Sequence, residues 1–293
     1  MGFNINIGRL SEPATILVQR ISDAIEGYYR PYQIKRIAEA EAEADRIKAV
    51  SQIEITDLQR RAVARFIAEE SKKQANMESI TAKALPDVKD DARPQDVEED
   101  WLAHFFDKCR LVSDNEMQQL WAKVLAGEAN SPGRYSRRTV SILSSLSKEE
   151  AGLFQNLWSF SWQIDRTPYV LVYDYQSPVY NSRGINFQSL RHLDDIGLIS
   201  FDAIAGFRLQ YLSKEILAEF GKEIFIILFN KADNNILEMG QVMISQEGRE
   251  LAHLAALDHK PVFKEYVIQQ WRQRHLTVSP VSSSADEPST IPS

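Results

Sequence analysis

The sequence predicts a mainly α-helical protein that ends in a small α+β domain. Three observations carry this expectation. Residues 32–84 contain neither proline nor glycine and are rich in Ala, Glu, Lys, Arg and Ile. Amphipathic helices with capping signals recur between residues 97 and 163. Beyond residue 165 the texture changes to alternating strand-like and helix-like runs. At 293 residues the chain is long enough for two or three folding units.

The elements follow in chain order. Residues 10–29 read as a short amphipathic helix with Ser11 as its cap and Pro13 in its first turn. Leu17, Ile21, Ile25 and Tyr28 fall on its apolar face, together with Ala14, Val18 and Ala24. A break is expected at Pro31. Residues 32–84 then read as one long charged helix. Some 50 helical residues would span about 75 Å, more than one domain of this size covers. Its apolar positions Ile47, Val50, Leu58, Ala62 and Phe66 mark a stripe that Ile53 and Ile55 blur. Oligomeric coiled coil and intramolecular hairpin both remain open, with self-association favoured by the alternating charges.

Residues 85–97, with two prolines and no hydrophobic period, read as a linker. The middle unit, 98–163, is expected to hold four helices. Ser113-Asp-Asn-Glu116 and Ser147-Lys-Glu-Glu150 have capping-box spacing and open the second and fourth of them. Residues 165–276 are expected to form the α+β domain. Its strands lie near 169–175, 206–212, 223–229 and 239–245, and a helix from Phe187 is ended by Gly197. The order helix, hairpin, helix there looks like a winged-helix unit. The Ser- and Pro-rich tail, 277–293, reads as disordered.

Composition narrows the function. The net charge of −7 is opposite in sign to what duplex DNA favours. Residues 180–260 carry 8 basic and 11 acidic side chains, so local acidity disfavours nucleic acid there as well. The single cysteine, Cys109, cannot form an internal disulfide and reads as a buried structural thiol in a reducing, cytoplasmic setting. No run of 18 apolar residues is present, so no membrane span is expected. Contact of residues 8–29 with a membrane surface is weakened by the acidic residues among its arginines.

The most distinctive run is Ser113-Asp-Asn-Glu-Met-Gln-Gln-Leu-Trp-Ala-Lys-Val-Leu-Ala-Gly-Glu128, followed by Ser131-Pro-Gly133 and Ser136-Arg-Arg-Thr139. With Leu10-Ser-Glu-Pro-Ala-Thr15 and Tyr32-Gln-Ile-Lys-Arg-Ile-Ala38, it resembles an uncharacterised bacterial family, a domain of unknown function. That family brings no catalytic residues to carry over. The order of an N-terminal helical region, a helix ending in Gly-Leu-Ile and a strand-to-helix element is also similar to the alpha-type abortive-infection proteins. Those act in defence against phage, and the similarity implies a possible defence role.

No catalytic motif, cofactor motif or metal spacing emerges: there is no phosphate-binding glycine loop, no nucleophile elbow, and His104, His192, His253, His259 and His275 are scattered. One polar cluster has two readings. Glu128 with Arg134, Arg137 and Arg138 could hold an anion or a partner at a helix start, or form a solvated turn that Glu128 fastens. The expectation is therefore a non-enzymatic interaction or assembly protein. It would bind a second copy or another protein through its N-terminal helices, the Leu17, Ile21, Ile25, Tyr28 face included. The alternative is a DNA-binding regulator using the winged-helix-like unit.

Overall fold

The computed structural model describes residues 10–25, 57–254 and 260–281. The expected rod is therefore described only from Asp57 onward, and Tyr28, residues 32–56 and the tail beyond 281 lie outside the described residues. Contacts divide the chain into two compact units, Met1–Ser145 and Leu146–Ser293. The protein is mainly helical, and among the described residues the antiparallel β-structure is confined to the second unit.

The first unit contains α1 (12–25), α2 (Asp57–Ala84), α3 (Glu99–Cys109), α4 (Asn115–Asn130) and α5 (Arg137–Ser145). Its core is aromatic. Phe105 stacks on Trp101 at 5.1 Å between centroids and meets Phe106 and Trp121 edge-on, each also at 5.1 Å. Leu102, Val124, Leu125, Val140 and Leu143 fill the space around these rings. The C-terminal half of α2 packs on α4, with Ile80 and Ala84 fully buried. Two buried amides fasten this contact. Asn76 Nδ2 donates to the Arg110 carbonyl at 2.9 Å, and Gln118 Nε2 donates to the Val112 carbonyl at 2.9 Å. Both amides thus close the carbonyls of the α3–α4 turn, which burial would otherwise leave unpaired.

Residues 85–97 are not a linker. Leu85, Val88, Ala92, Pro94 and Val97 are buried, and two short 3-10 turns, Leu85–Asp87 and Pro94–Asp96, fold the segment onto α4. Proline and charge suppress a helical period without preventing burial, since alternate residues can still face the core. The cap of α4 is Asp114 rather than Ser113: its Oδ1 accepts from the N–H groups of Glu116 and Met117. The same helix continues through Gly127 and runs to Asn130. Gly127 serves packing, because a Cβ there would lie 2.8 Å from Cε2 of Tyr135.

The second unit begins with α6 (Lys148–Trp158), expected as the fourth helix of the middle unit. Its capping box is present, with Ser147 and Glu150 exchanging hydrogen bonds. A five-stranded antiparallel sheet follows, in the order β2-β1-β5-β6-β9. Its strands are β1 (Ser161–Ile164), β2 (Thr167–Val170), β5 (Glu215–Phe220), β6 (Glu223–Leu228) and β9 (Thr277–Pro280). Strand β9 lies where the disordered tail was expected to start. It adds an edge strand, with Val278 buried opposite Ile227.

Two short ladders complete the β-structure, β3 (Ile199–Phe201) with β8 (Val242–Ile244) and β4 (Phe207–Leu212) with β7 (Asn235–Gly240). Helices α7 (Pro178–Asn181), α8 (Phe187–Asp195), α9 (Gln246–Ala252) and α10 (Pro261–Gln273) complete the unit. Trp162 centres the core on one sheet face, with its ring 4.9 Å from Phe220 and 4.8 Å from Trp271.

Gly248 in α9 approaches β3 so closely that a Cβ would lie 2.1 Å from the Leu198 carbonyl oxygen, which already accepts from Ser245. Gly248→Ala is expected to destabilise the protein by about 1–3 kcal/mol. Gly152→Ala, on the exposed side of α6 with open space at the Cβ, should stabilise it by about 0.5–1 kcal/mol. Urea unfolding midpoints of the two variants check both signs.

The Glu150 carboxyl is held below the usual range, first by the Ser147 backbone N–H and further by its hydrogen bond to His192. A lowered folded pKa adds stability that is fully present above the ordinary carboxylate value and is lost as pH falls through the lowered one. Glu150→Gln should therefore unfold at a lower temperature than wild type at pH 7. The gap should narrow in melts recorded at successively lower pH below the ordinary glutamate pKa, and close once pH has fallen through the lowered one.

Candidate functional site

The Glu128 cluster is built at the C-terminal end of α4. The Glu128 side chain is buried, and its two oxygens accept backbone N–H groups from the turn that follows, Gly133 at 2.6 Å and Tyr135 at 2.9 Å. Trp101 Nε1 donates to the Tyr135 carbonyl at 2.7 Å, so α3 pins the same turn from the other side. Asn130 reaches back to the preceding segment, accepting from Lys89 N–H and donating to the Asp87 carbonyl. Ser136 caps α5 by accepting from Thr139 N–H.

The N–H groups that would greet an external anion are thus engaged by the protein's own side chains. Arg134, Arg137 and Arg138 are exposed around this turn, and the Arg134 guanidinium lies 5.6 Å from the centre of the Tyr135 ring. The arrangement fastens a loop. The three arginines border it.

The α1 face is also accounted for within the chain. Leu17 and Ile21 are completely buried, Ile25 is half-buried, and Arg20 donates to the Val97 carbonyl at 2.6 Å. A face offered to a partner would be exposed in the single chain. Leu17 and Ile21 instead belong to its own core.

The opposite holds for the first half of α2. Residues 57–69 are exposed around the whole circumference of the helix. Leu58 keeps 68% of its surface in water, and Val63 and Ile67 keep 59% each. Val63 and Ile67 are four residues apart and so lie one above the other. Arg60, Arg61 and Arg65 precede Glu69 and Glu70 along the same stretch. The chain therefore holds the pair Val63 and Ile67 in water on a helix whose neighbouring charges pair along it, Arg60 with Asp57 and Arg65 with Glu69.

The second unit contains a cleft of about 490 Å³ beside the sheet, lined by Trp162 and Gln163 of β1 and Glu219 of β5. Gln163 and Glu219 stand directly opposite each other on its floor. Trp158 at the end of α6, Pro168 of β2 and His253 after α9 form its walls. Arg166 stands at the β1–β2 turn, where Asp165 and Arg166 both have positive φ, 46° and 66°. Side chains other than Gly reach that region at a cost of roughly 1–2 kcal/mol each. Asp165 offsets this by closing the turn onto β5, its N–H donating to the Leu217 carbonyl and its Oδ1 accepting from Leu217 N–H.

Cys109 is buried, and burial pushes its thiol pKa up, which makes it unreactive. Among the described residues no group of three metal-ligating side chains gathers, and no helix is long and apolar enough to cross a membrane. No local pattern pointed to the cleft, because it is made where β1 pairs with β5 from a distant part of the chain.

Removing the Glu128 carboxylate orphans two turn N–H groups at once. Glu128→Ala is expected to destabilise the first unit by about 2–4 kcal/mol, whereas Arg137→Ala should stay within about 0.5 kcal/mol of wild type. Chemical denaturation followed by tryptophan fluorescence distinguishes the two.

No curated protein and no solved structure matches this chain. A family model described as a protein of unknown function (DUF2806) matches residues 60–268, from the start of α2 well into α10. The match leaves out Leu10–Thr15 and residues 32–38 and spans both compact units. The chain belongs to this family of unknown function, DUF2806.

Proposed function

We propose that this protein is an interaction and assembly protein that uses the first half of α2 to bind a second copy of itself. The observation that supports this reading is the pair Val63 and Ile67, one turn apart and exposed on a helix whose other half is anchored in a core. Burying each such side chain is worth about 1.5–3 kcal/mol, so a helix laid along this pair gains two such contributions. Charge argues for an antiparallel copy. Asp57, paired with Arg60, opens the exposed stretch; Arg61 and Arg65 come next, and Glu69, paired with Arg65, and Glu70 follow. Two antiparallel copies set the basic part of one beside the acidic part of the other, whereas parallel copies set like charges side by side.

A DNA-binding reading would use α8 as a recognition helix and the neighbouring ladders as a wing. The charges of α8 speak against it. Arg191 is held by Asp194 at 3.0 Å and Asp195 at 3.2 Å, which neutralises the cation a phosphate would need.

Light scattering is expected to report a dimer for the full chain and a monomer for Val63→Asp combined with Ile67→Asp. Both variants should share one circular dichroism spectrum, since neither side chain is in the core. A photo-crosslinking residue at position 63 should give an adduct of twice the chain mass. An adduct of another mass would move the partner to a different protein. A monomeric wild type with no intermolecular adduct would overturn the assembly reading.

A further inference from the structure

Among the clusters outside the exposed half of α2, the cleft of the second unit carries an inference furthest. Two opposite charges line it. Neither the Arg166 guanidinium nor the Glu219 carboxylate makes a hydrogen bond or ion pair among the described residues, although salt bridges are common elsewhere on this surface. Between and beside them lie apolar walls, with Trp158 and Pro168 lining the cavity. Arg166 is positioned rather than trailing. It occupies a turn of unfavourable backbone conformation that Asp165 locks to β5 by two hydrogen bonds with Leu217. Positive φ at both positions is what a two-residue hairpin loop requires, so the turn between β1 and β2 holds Arg166 at a fixed place beside the cavity. Glu219 is held by strand register, opposite Gln163 on β1 and Ile224 on β6.

We infer that this cleft binds a small zwitterion with an apolar body, of the class of free hydrophobic α-amino acids and their dipeptides. The ligand carboxylate pairs with Arg166, whose planar guanidinium suits two parallel hydrogen bonds. The ligand ammonium pairs with Glu219. The apolar side chain lies against Trp158 and Pro168. A volume of about 490 Å³ falls within the range of small-molecule pockets and leaves room for a dipeptide. The cleft lies in the second unit, so this inference stands independently of the α2 interface.

Calorimetric titration of the full chain with L-leucine, L-phenylalanine and the dipeptide Phe-Leu tests it. Saturable binding is expected, weakened at least tenfold in N-acetyl-L-leucine, which lacks the cation, and in L-leucine amide, which lacks the anion. Arg166→Ala should weaken leucine at least tenfold yet leave leucine amide unchanged, and Glu219→Gln should do the reverse pairing with N-acetyl-L-leucine. Neither side chain is in the core, and an unchanged melting temperature verifies that each variant is folded. Absence of heat with all three zwitterions at millimolar concentration would overturn the inference. So would equal binding of the acetylated or amidated compounds, or variants that weaken both derivatives alike.

Discussion

The contact between the C-terminal half of α2 and α4 is the constraint from which the first unit follows. It is made of Ile80 and Ala84 against a helix that also carries Trp121, Val124 and Leu125, and it is aligned by the amides of Asn76 and Gln118. Fixing α2 there fixes the start of the next segment at Leu85, which in turn is threaded past the end of α4 by Asn130 and by the Arg93 N–H bond to the Ala129 carbonyl. Buried amides of this type tolerate little displacement, because each carbonyl they release is left dry. One consequence lies outside the core. A helix anchored by its second half must present its first half to whatever lies beyond.

Unit two is organised differently. Its aromatic core lies on one side of the sheet, where Trp162, Phe220, Phe225 and Trp271 converge. The other side carries Gln163 and Glu219 and is only partly roofed, by Trp158 and the end of α9. An antiparallel sheet with one packed face and one open face is an ordinary arrangement. What distinguishes this one is the cleft, whose charged side chains Arg166 and Glu219 have no hydrogen-bond or ion-pair partner among the described residues. The two candidate surfaces therefore rest on the same logic: groups that would gain from burial or pairing are held in place by rigid elements and left without either.

Much of the helical architecture was legible from local chemistry. Ser147 and Glu150 cap α6 as their spacing implied, the strand at 223–229 is β6, and Cys109 is a buried thiol. The misreadings share a cause. Ser113 and Asp114 are both good caps, and only the path of the chain chose Asp114. Residues 85–97 lack a period because their burial is set by contact with α4 and not by a regular backbone repeat. Short strands such as β1 and β5 need partners from distant sequence, so no local window reveals them.

Sequence alone determined the helical character of the first part and the β-structure of the second, because propensity, capping and apolar period act over a few residues. Tertiary structure decided the rest. It covered Leu17 and Ile21, gave Glu128 to the turn at Gly133 and Tyr135, left Val63 and Ile67 in water, and set Arg166 and Glu219 around one cleft. Such outcomes depend on which surfaces meet across long sequence separations, and that is fixed by packing rather than by any local pattern.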